Sequence, residues 1–170
     1  MMHKFVSFVL TAIVYCSVAH GTQPIYQTKQ KLLSCEHAIV TLSDKADVTC
    51  ATTISRFNVE LARTATEQRI GLSEHLSLNE DAGMLFVYKQ RELLSFWMKG
   101  MHFPIDIIWI SDHRVVHITP EVAAPNSGVE DSALSSYSSI QSVEYVLEIR
   151  SGRAKEVGIR VGDFVQILFY

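Results

Sequence analysis

The segment from Phe96 to Asp106 carries the side chains of this chain that are best suited to bind a ligand. Lys99 ends one apolar run and Asp106 begins the next, so the short connection can bring an ammonium close to a carboxylate. Strand alternation places Trp97 and Lys99 on one face, and Asp106 on a face shared with isoleucines. A carboxylate on an apolar face needs a cation or backbone donors, and Lys99 is the nearest cation in the sequence.

Three interpretations of this segment stay open. In the first, Lys99 and Asp106 form a structural ion pair or a hydrogen-bonded turn. In the second, Lys99 binds an anionic or polar group and Trp97 supplies an aromatic face. The third is catalysis, because perturbed charges occur at active sites as well as in structural networks.

Other chemistry is weakly supported. Met98, Met101 and His102 suit Cu(I), but core packing is the favoured interpretation because methionine commonly fills irregular cores. No His-Glu-x-x-His, Gly-x-Ser-x-Gly or phosphate-binding glycine motif occurs. The formal net charge is −3 and there is no long basic run, which argues against a nucleic-acid partner. We therefore expect no metal, no cofactor and no nucleic-acid partner.

Short apolar runs separated by turn residues indicate a mainly β chain. Residues 54–62 alternate between apolar and polar, as a half-buried strand does, and residues 111–114 are typical of a hairpin turn. The chain lacks the strand–helix rhythm of a parallel sheet. We predict a compact antiparallel β-sandwich or barrel with two short helices.

Capping signals mark both helices. Thr64 and Glu67 have the spacing of a capping box, and Gly71 supplies the stop. The second helix is expected to be capped by Ser151 and to end at Gly158.

Residues 120–142 form a long irregular stretch rich in proline and serine, which could act as a lid over a site. The strand predicted over 143–149 carries Glu144 and Glu148. Both alternate with apolar residues, so we expect them to face water.

Residues 1–21 have the pattern of a secretory signal peptide, with a basic start, an apolar run of 14 residues and small residues at the end. The apolar run is shorter than the about 20 residues that span a bilayer. We therefore expect an exported, periplasmic or secreted protein without stable membrane insertion after cleavage. Residues 22–53 are interpreted as an N-terminal extension, and residues 54–170 as a single β-rich domain.

Removal of residues 1–21 would also remove Cys16 and leave Cys35 and Cys50. An even pair in an oxidising compartment is most simply a disulfide. In the chain-entropy model a loop of about 15 residues would gain about 3 kcal/mol. A two-thiol metal site and free thiols are the alternatives.

An ordered set of short motifs is similar to the family of domains of unknown function numbered 192. The motifs are Arg69-Ile70-Gly71-Leu72, Gly83-Met84-Leu85-Phe86, Phe96-Trp97-Met98-Lys99, Pro104-Ile105-Asp106, Tyr145-Val146-Leu147-Glu148, and Gly158 with Gly162-Asp163. The resemblance covers residues 56–170, implies a small, mainly β and often exported domain, and draws attention to Glu148. This chain has Gly100-Met101 where the family often has Asn-Thr, so no polar side chain is available there. Residues 22–53, with both cysteines, lie outside the resemblance.

The leading functional hypothesis is non-catalytic binding of a small polar ligand or an envelope partner, around Trp97, Met98, Lys99, Asp106 and Glu148. A hydrolase-type enzyme that uses Asp106 with Lys99 or Glu148 is one alternative. A structural or accessory envelope protein is the other.

The disulfide can be tested by alkylation. The mature protein, denatured without reduction, should take up no iodoacetamide, and it should take up two labels after reduction, because both remaining thiols are oxidised. Mass spectrometry reads both results. Two labels on the unreduced protein would contradict the disulfide.

Overall fold

The computed structural model describes residues 36–45 and 53–170, and the described chain is mainly β, as predicted. The strands are β1 His37–Ser43, β2 Thr53–Ala62, β3 Ala82–Glu92, β4 Ser95–Trp97, β5 Ile105–Ser111, β6 Arg114–Val122, β7 Ser136–Ser138, β8 Val143–Arg150 and β9 Phe164–Phe169. The helices are α1 Ala65–Ile70 and α2 Arg153–Val157, with a 3-10 turn at Asp131–Ala133. The prediction of two short helices is confirmed.

Seven of the described strands close into a barrel in the order β1-β2-β3-β8-β5-β6-β9, with β9 pairing back to β1. The predicted barrel is confirmed, and among its described strand pairs β2 and β3 depart from antiparallel pairing because they run parallel. Parallel neighbours need a crossover connection, and residues 63–81, which contain α1, provide it. Gln68 fixes the helix over this pair by donating to the carbonyl of Val87 at 3.1 Å.

Strand β1 comes from the stretch that the sequence assigned to the N-terminal extension, yet it is part of the barrel wall. It pairs with β2 on one side and with β9 on the other. Residues 1–21 and both Cys35 and Cys50 lie outside the described residues, so the signal peptide and the disulfide stay predictions. In the described ranges, no helix has the length and apolar character needed to cross a bilayer.

Two apolar layers lie on opposite faces of the barrel wall. One fills the barrel interior, and the other covers the outer face of β3, β5 and β8. All seven residues of β5 are buried, because Ile108 and Ile110 point into the barrel while Ile107 and Trp109 join the outer layer. Half-buried alternation therefore holds for β2, as predicted, but not for β5 or β8.

The outer layer is covered by a two-stranded ribbon of β4 and β7. The stretch 120–142 was predicted to be irregular, and most of it is. It also contains β7, in which Ser136 lies opposite Trp97 of β4. The ribbon is anchored by edge-to-face rings: Phe96 lies 4.8 Å from Phe86 and 5.5 Å from Trp109, between centroids.

Local turn and cap predictions are confirmed at two places. The Thr64–Glu67 capping box forms, and Gly71 ends α1 with φ 52°. A Cβ at Gly71 would lie 3.3 Å from the Phe86 ring. The β5–β6 hairpin turns through Asp112 and His113, both with left-handed φ values near 55°, a conformation that Asp and His tolerate better than most residues.

Asp106 replaces the predicted cap of α2. Ser151 makes no side-chain cap, and the helix begins after Gly152. The Asp106 carboxylate, fully buried, instead accepts backbone N–H groups of Gly152 at 3.0 Å and Ala154 at 2.9 Å, and of Glu121 at 2.8 Å. The sequence predicted either backbone donors or Lys99 as the partner of Asp106. The structure shows the backbone donors, and Lys99 does not pair with Asp106.

Loss of this carboxylate should destabilise the fold. Asp106→Ala leaves three backbone donors without an acceptor, and each orphaned donor costs about 1–3 kcal/mol. We expect the free energy of unfolding in urea to fall by at least about 3 kcal/mol. Ser151→Ala is the control and should change it by less than about 0.5 kcal/mol. Equal effects of the two variants would contradict this role of Asp106.

Candidate functional site

A pocket of about 90 Å³ lies between the ribbon, α1 and the outer face of β3 and β8. Glu148 of β8 forms its floor, and aromatic residues of β3 and β4 form much of its wall. The side chains that matter for its chemistry are Arg69, Tyr88, Trp97, Lys99 and Glu148.

Glu148 is the unusual residue of this pocket. In the strand register it lies between Met84 of β3 and Ile107 of β5, so its neighbours on both sides belong to the outer apolar layer. Only 6% of the residue is exposed, and its carboxylate borders the pocket without a hydrogen bond from a described residue. The prediction that Glu148 faces water is wrong, because the ribbon covers the outer face of β8.

Burial raises the pKa of Glu148 to about 8 from the ordinary 4.5. The carboxyl group is therefore mostly protonated at neutral pH, and it can donate a hydrogen bond as well as accept one. The pKa of Tyr88 is raised to about 12, first by burial and then by the charges of Glu92 and Glu148. Tyr88 thus stays a neutral phenol beside the carboxyl group.

Trp97 and Lys99 lie at the rim. The Trp97 residue is 52% exposed, and the Lys99 ammonium lies 5.4 Å from the centroid of its ring. Lys99 also forms an ion pair with Asp131, which belongs to the 3-10 turn of the 120–142 stretch. The structure thus brings together Trp97, Lys99 and Glu148, three of the five residues named from the sequence.

A second pocket, of about 400 Å³, is lined by residues 99–102 and by residues of the segment 124–134. Lys99 and Met101 line both pockets. The Lys99–Asp131 ion pair therefore connects the end of β4 to the 120–142 stretch.

Asp106 and Met98 do not line the Glu148 pocket. Asp106 pairs in register with Ile149, which points into the barrel, so the next residue, Glu148, points to the opposite face. The pairing of Asp106 with Lys99 or Glu148 that a hydrolase would need is therefore not formed. Met98 is 4% exposed and packs in the outer apolar layer, which agrees with core packing rather than copper binding.

In the described ranges, no three His, Cys, Asp or Glu side chains form a group that could hold a metal ion. Sequence reasoning missed Arg69 and Tyr88 as pocket residues. Tyr88 follows Phe86 by two positions and shares its strand face, and this alternation was the available signal. Arg69 lies in one of the motifs, but its position beside β4 depends on the crossover.

The buried carboxyl group makes stability depend on pH. The folded pKa of Glu148 exceeds the unfolded one, so its contribution to stability is complete below about pH 4.5 and is lost as pH rises to about 8. Glu148→Gln removes this titration while keeping the shape of the side chain. In urea unfolding, the variant should therefore gain stability relative to the natural protein between about pH 5 and about pH 8. Glu74→Gln, at an exposed position, is the control and should show no such change. A relative stability that is the same at both pH values would contradict the burial of an unpaired carboxyl group.

Two solved structures share this fold. A candidate transcription regulator from Sinorhizobium meliloti 1021 matches with a TM-score of 0.65 and 25% identity, over 78% of this chain and 95% of that one. A protein of unknown function from Novosphingobium aromaticivorans DSM 12444 matches with a TM-score of 0.63 and 29% identity, over 75% of this chain and 83% of that one.

No curated protein matches the sequence significantly. The sequence profile of the DUF192 family, described as "Uncharacterized ACR", matches residues 46–167. That range is most of the chain and contains every strand of the structure except β1 and the end of β9. The chain therefore belongs to the DUF192 family.

Proposed function

We propose that this domain binds a small polar ligand in the Glu148 pocket without transforming it. The observation that carries the proposal is a buried carboxyl group that faces a cavity and has no hydrogen-bond partner among the described residues. Trp97 and Lys99 at the rim would contact the part of the ligand that stays outside.

The environment of Glu148 favours a binding role over a purely structural one. Burial of a carboxyl group without a partner is costly, and an apolar side chain between Met84 and Ile107 would pack with less penalty. Exceptions to the rules of core packing are commonest at functional sites. A ligand that hydrogen-bonds to Glu148 would supply the missing partner.

The 120–142 stretch is proposed to close over the ligand. It contributes Asp131, whose ion pair with Lys99 connects this stretch to the rim of the pocket. Exposed ion pairs contribute little to stability, about 0–1 kcal/mol, so this connection can open at small cost.

The proposed place of action is outside the cytoplasm, because residues 1–21 have the pattern of a signal peptide. In the same hypothesis, the bound polar group can belong to an envelope protein instead of a small molecule. The description of the Sinorhizobium relative as a candidate transcription regulator applies to that protein. The acidic balance of this chain favours a small ligand over nucleic acid.

An acid–base enzyme is a second candidate, favoured by the raised pKa of Glu148. A carboxyl group that titrates near pH 8 can exchange a proton with a bound molecule at physiological pH. Such an enzyme would use Glu148 with Tyr88 nearby, and not Asp106.

A thermal-shift screen of the mature protein tests the binding function. The panel comprises sugars, amino acids, nucleotides, peptidoglycan fragments and carboxylates. A ligand at 100 times its dissociation constant should stabilise the protein by about 2.7 kcal/mol. Stabilisation should be weaker in Glu148→Gln and in Trp97→Ala, since the first variant removes the carboxyl group of the floor and the second removes the ring at the rim.

Leu168→Ala is the matched control, because Leu168 is 62% exposed on β9 and lies outside the pocket. A compound that stabilises both pocket variants as strongly as the natural protein would place binding elsewhere. Recovery of the compound unchanged after incubation supports binding alone. Conversion that depends on Glu148 would support the enzyme instead.

A further inference from the structure

Four aromatic residues line the same pocket as the Glu148 carboxyl group. Phe86 and Tyr88 project from β3, and Phe96 and Trp97 from β4. Phe86 and Phe96 pack edge to face, with their ring planes at 80°, so each fixes the position of the other at the pocket wall. Within the part of the chain that the structure describes, Glu148 is the one acidic residue that lines the pocket.

We propose that the pocket holds the ammonium head group of a small ligand, with Glu148 beneath it and the aromatic rings around it. Aromatic faces attract cations, and the attraction is strongest where water is excluded. When Glu148 is ionised, its carboxylate accepts no hydrogen bond from a described residue, and an ammonium group would supply its positive partner. This inference rests on the proposed function, because it assigns a class of ligand to the same pocket.

Lys99 shows that the Trp97 ring accepts a cation in this fold. Its ammonium lies 5.4 Å from the ring centroid while it pairs with Asp131. The Lys99 charge at the rim repels a second cation that approaches Trp97. Removal of this charge by Lys99→Gln should therefore strengthen the binding of an ammonium ligand.

The protonation of Glu148 should be linked to binding. An ammonium ligand prefers the ionised carboxylate, so binding should strengthen from about pH 6 to about pH 9 and should release a proton. The other charged or titratable groups that line the pocket are Arg69 on α1, Tyr88 on β3 and Lys99 after β4. The phenol of Tyr88, with its pKa raised to about 12, stays neutral throughout this range.

Choline and 3,3-dimethyl-1-butanol provide the test, because they have nearly the same shape and only choline carries a charge. Binding is followed by nuclear magnetic resonance of the two indole N–H groups. Trp97 reports on the pocket. Trp109, whose N–H donates to Thr119 at 2.9 Å in the buried layer, serves as the internal reference.

We expect choline to shift the Trp97 signal and to bind at least about tenfold more tightly than the neutral alcohol. Glu148→Gln should reduce this preference, because only the aromatic rings then favour the charged compound, and Lys99→Gln should increase the affinity for choline. Equal binding of the two compounds, or no shift of Trp97 with choline, overturns the assignment of an ammonium ligand. A neutral compound from the screen that binds the natural protein but not Glu148→Gln would leave the proposed function standing while this inference falls.

Discussion

The cover over the outer face of β3, β5 and β8 is the constraint on which the site depends. The ribbon of β4 and β7 turns a barrel wall that would face water into a wall with apolar layers on both sides. Its strands are held in register next to the core by Leu94 and Ser139, which exchange two hydrogen bonds of 2.9 and 3.0 Å. Without this cover Glu148 would be an ordinary surface carboxylate with an ordinary pKa.

The two buried acids, Asp106 and Glu148, have different hydrogen-bond environments. Asp106, at the end of the barrel, has three backbone donors and fixes both α2 and the bend at Glu121. Glu148, on the opposite face of the wall, has none from the described residues. A carboxylate held by backbone donors adds rigidity to the fold, whereas one that borders a pocket without such donors can interact with what the pocket holds. The contrast is why the functional proposal uses Glu148, and why Asp106 is interpreted as structural.

Features set by neighbouring residues could be predicted from the sequence. The Thr64–Glu67 cap, the turn at residues 111–114 and the alternation of β2 all depend on contacts within a few positions. The ion pair of Lys99 was assigned to Asp106 by the same local logic, and the structure pairs Lys99 with Asp131, 32 positions away. Proximity in sequence is a weak guide to the partner of a long, flexible side chain.

Features set by distant contacts could not be predicted. The burial of Glu148 depends on a ribbon formed by residues 95–97 and 136–138, and strand alternation contains no information about such a cover. The parallel pairing of β2 with β3 depends on where the crossover packs, and the cap of α2 comes from a strand 46 positions earlier. Attention to Glu148 came from motif similarity, and attention to Trp97 came from its place beside Lys99 on one strand face. The fold was needed to place both residues in one pocket.

The crossover between β2 and β3 has a consequence for how this family can diversify. The floor of the pocket belongs to the barrel, but its walls and rim come largely from two connections, residues 63–81 and 93–104. Connections tolerate substitution and changes of length better than the strands of a closed barrel, since few wall hydrogen bonds depend on them. A barrel of this kind can therefore keep its buried acid on β8 while the ring and the cation above it are exchanged, and the ligand of the proposed site would change with them.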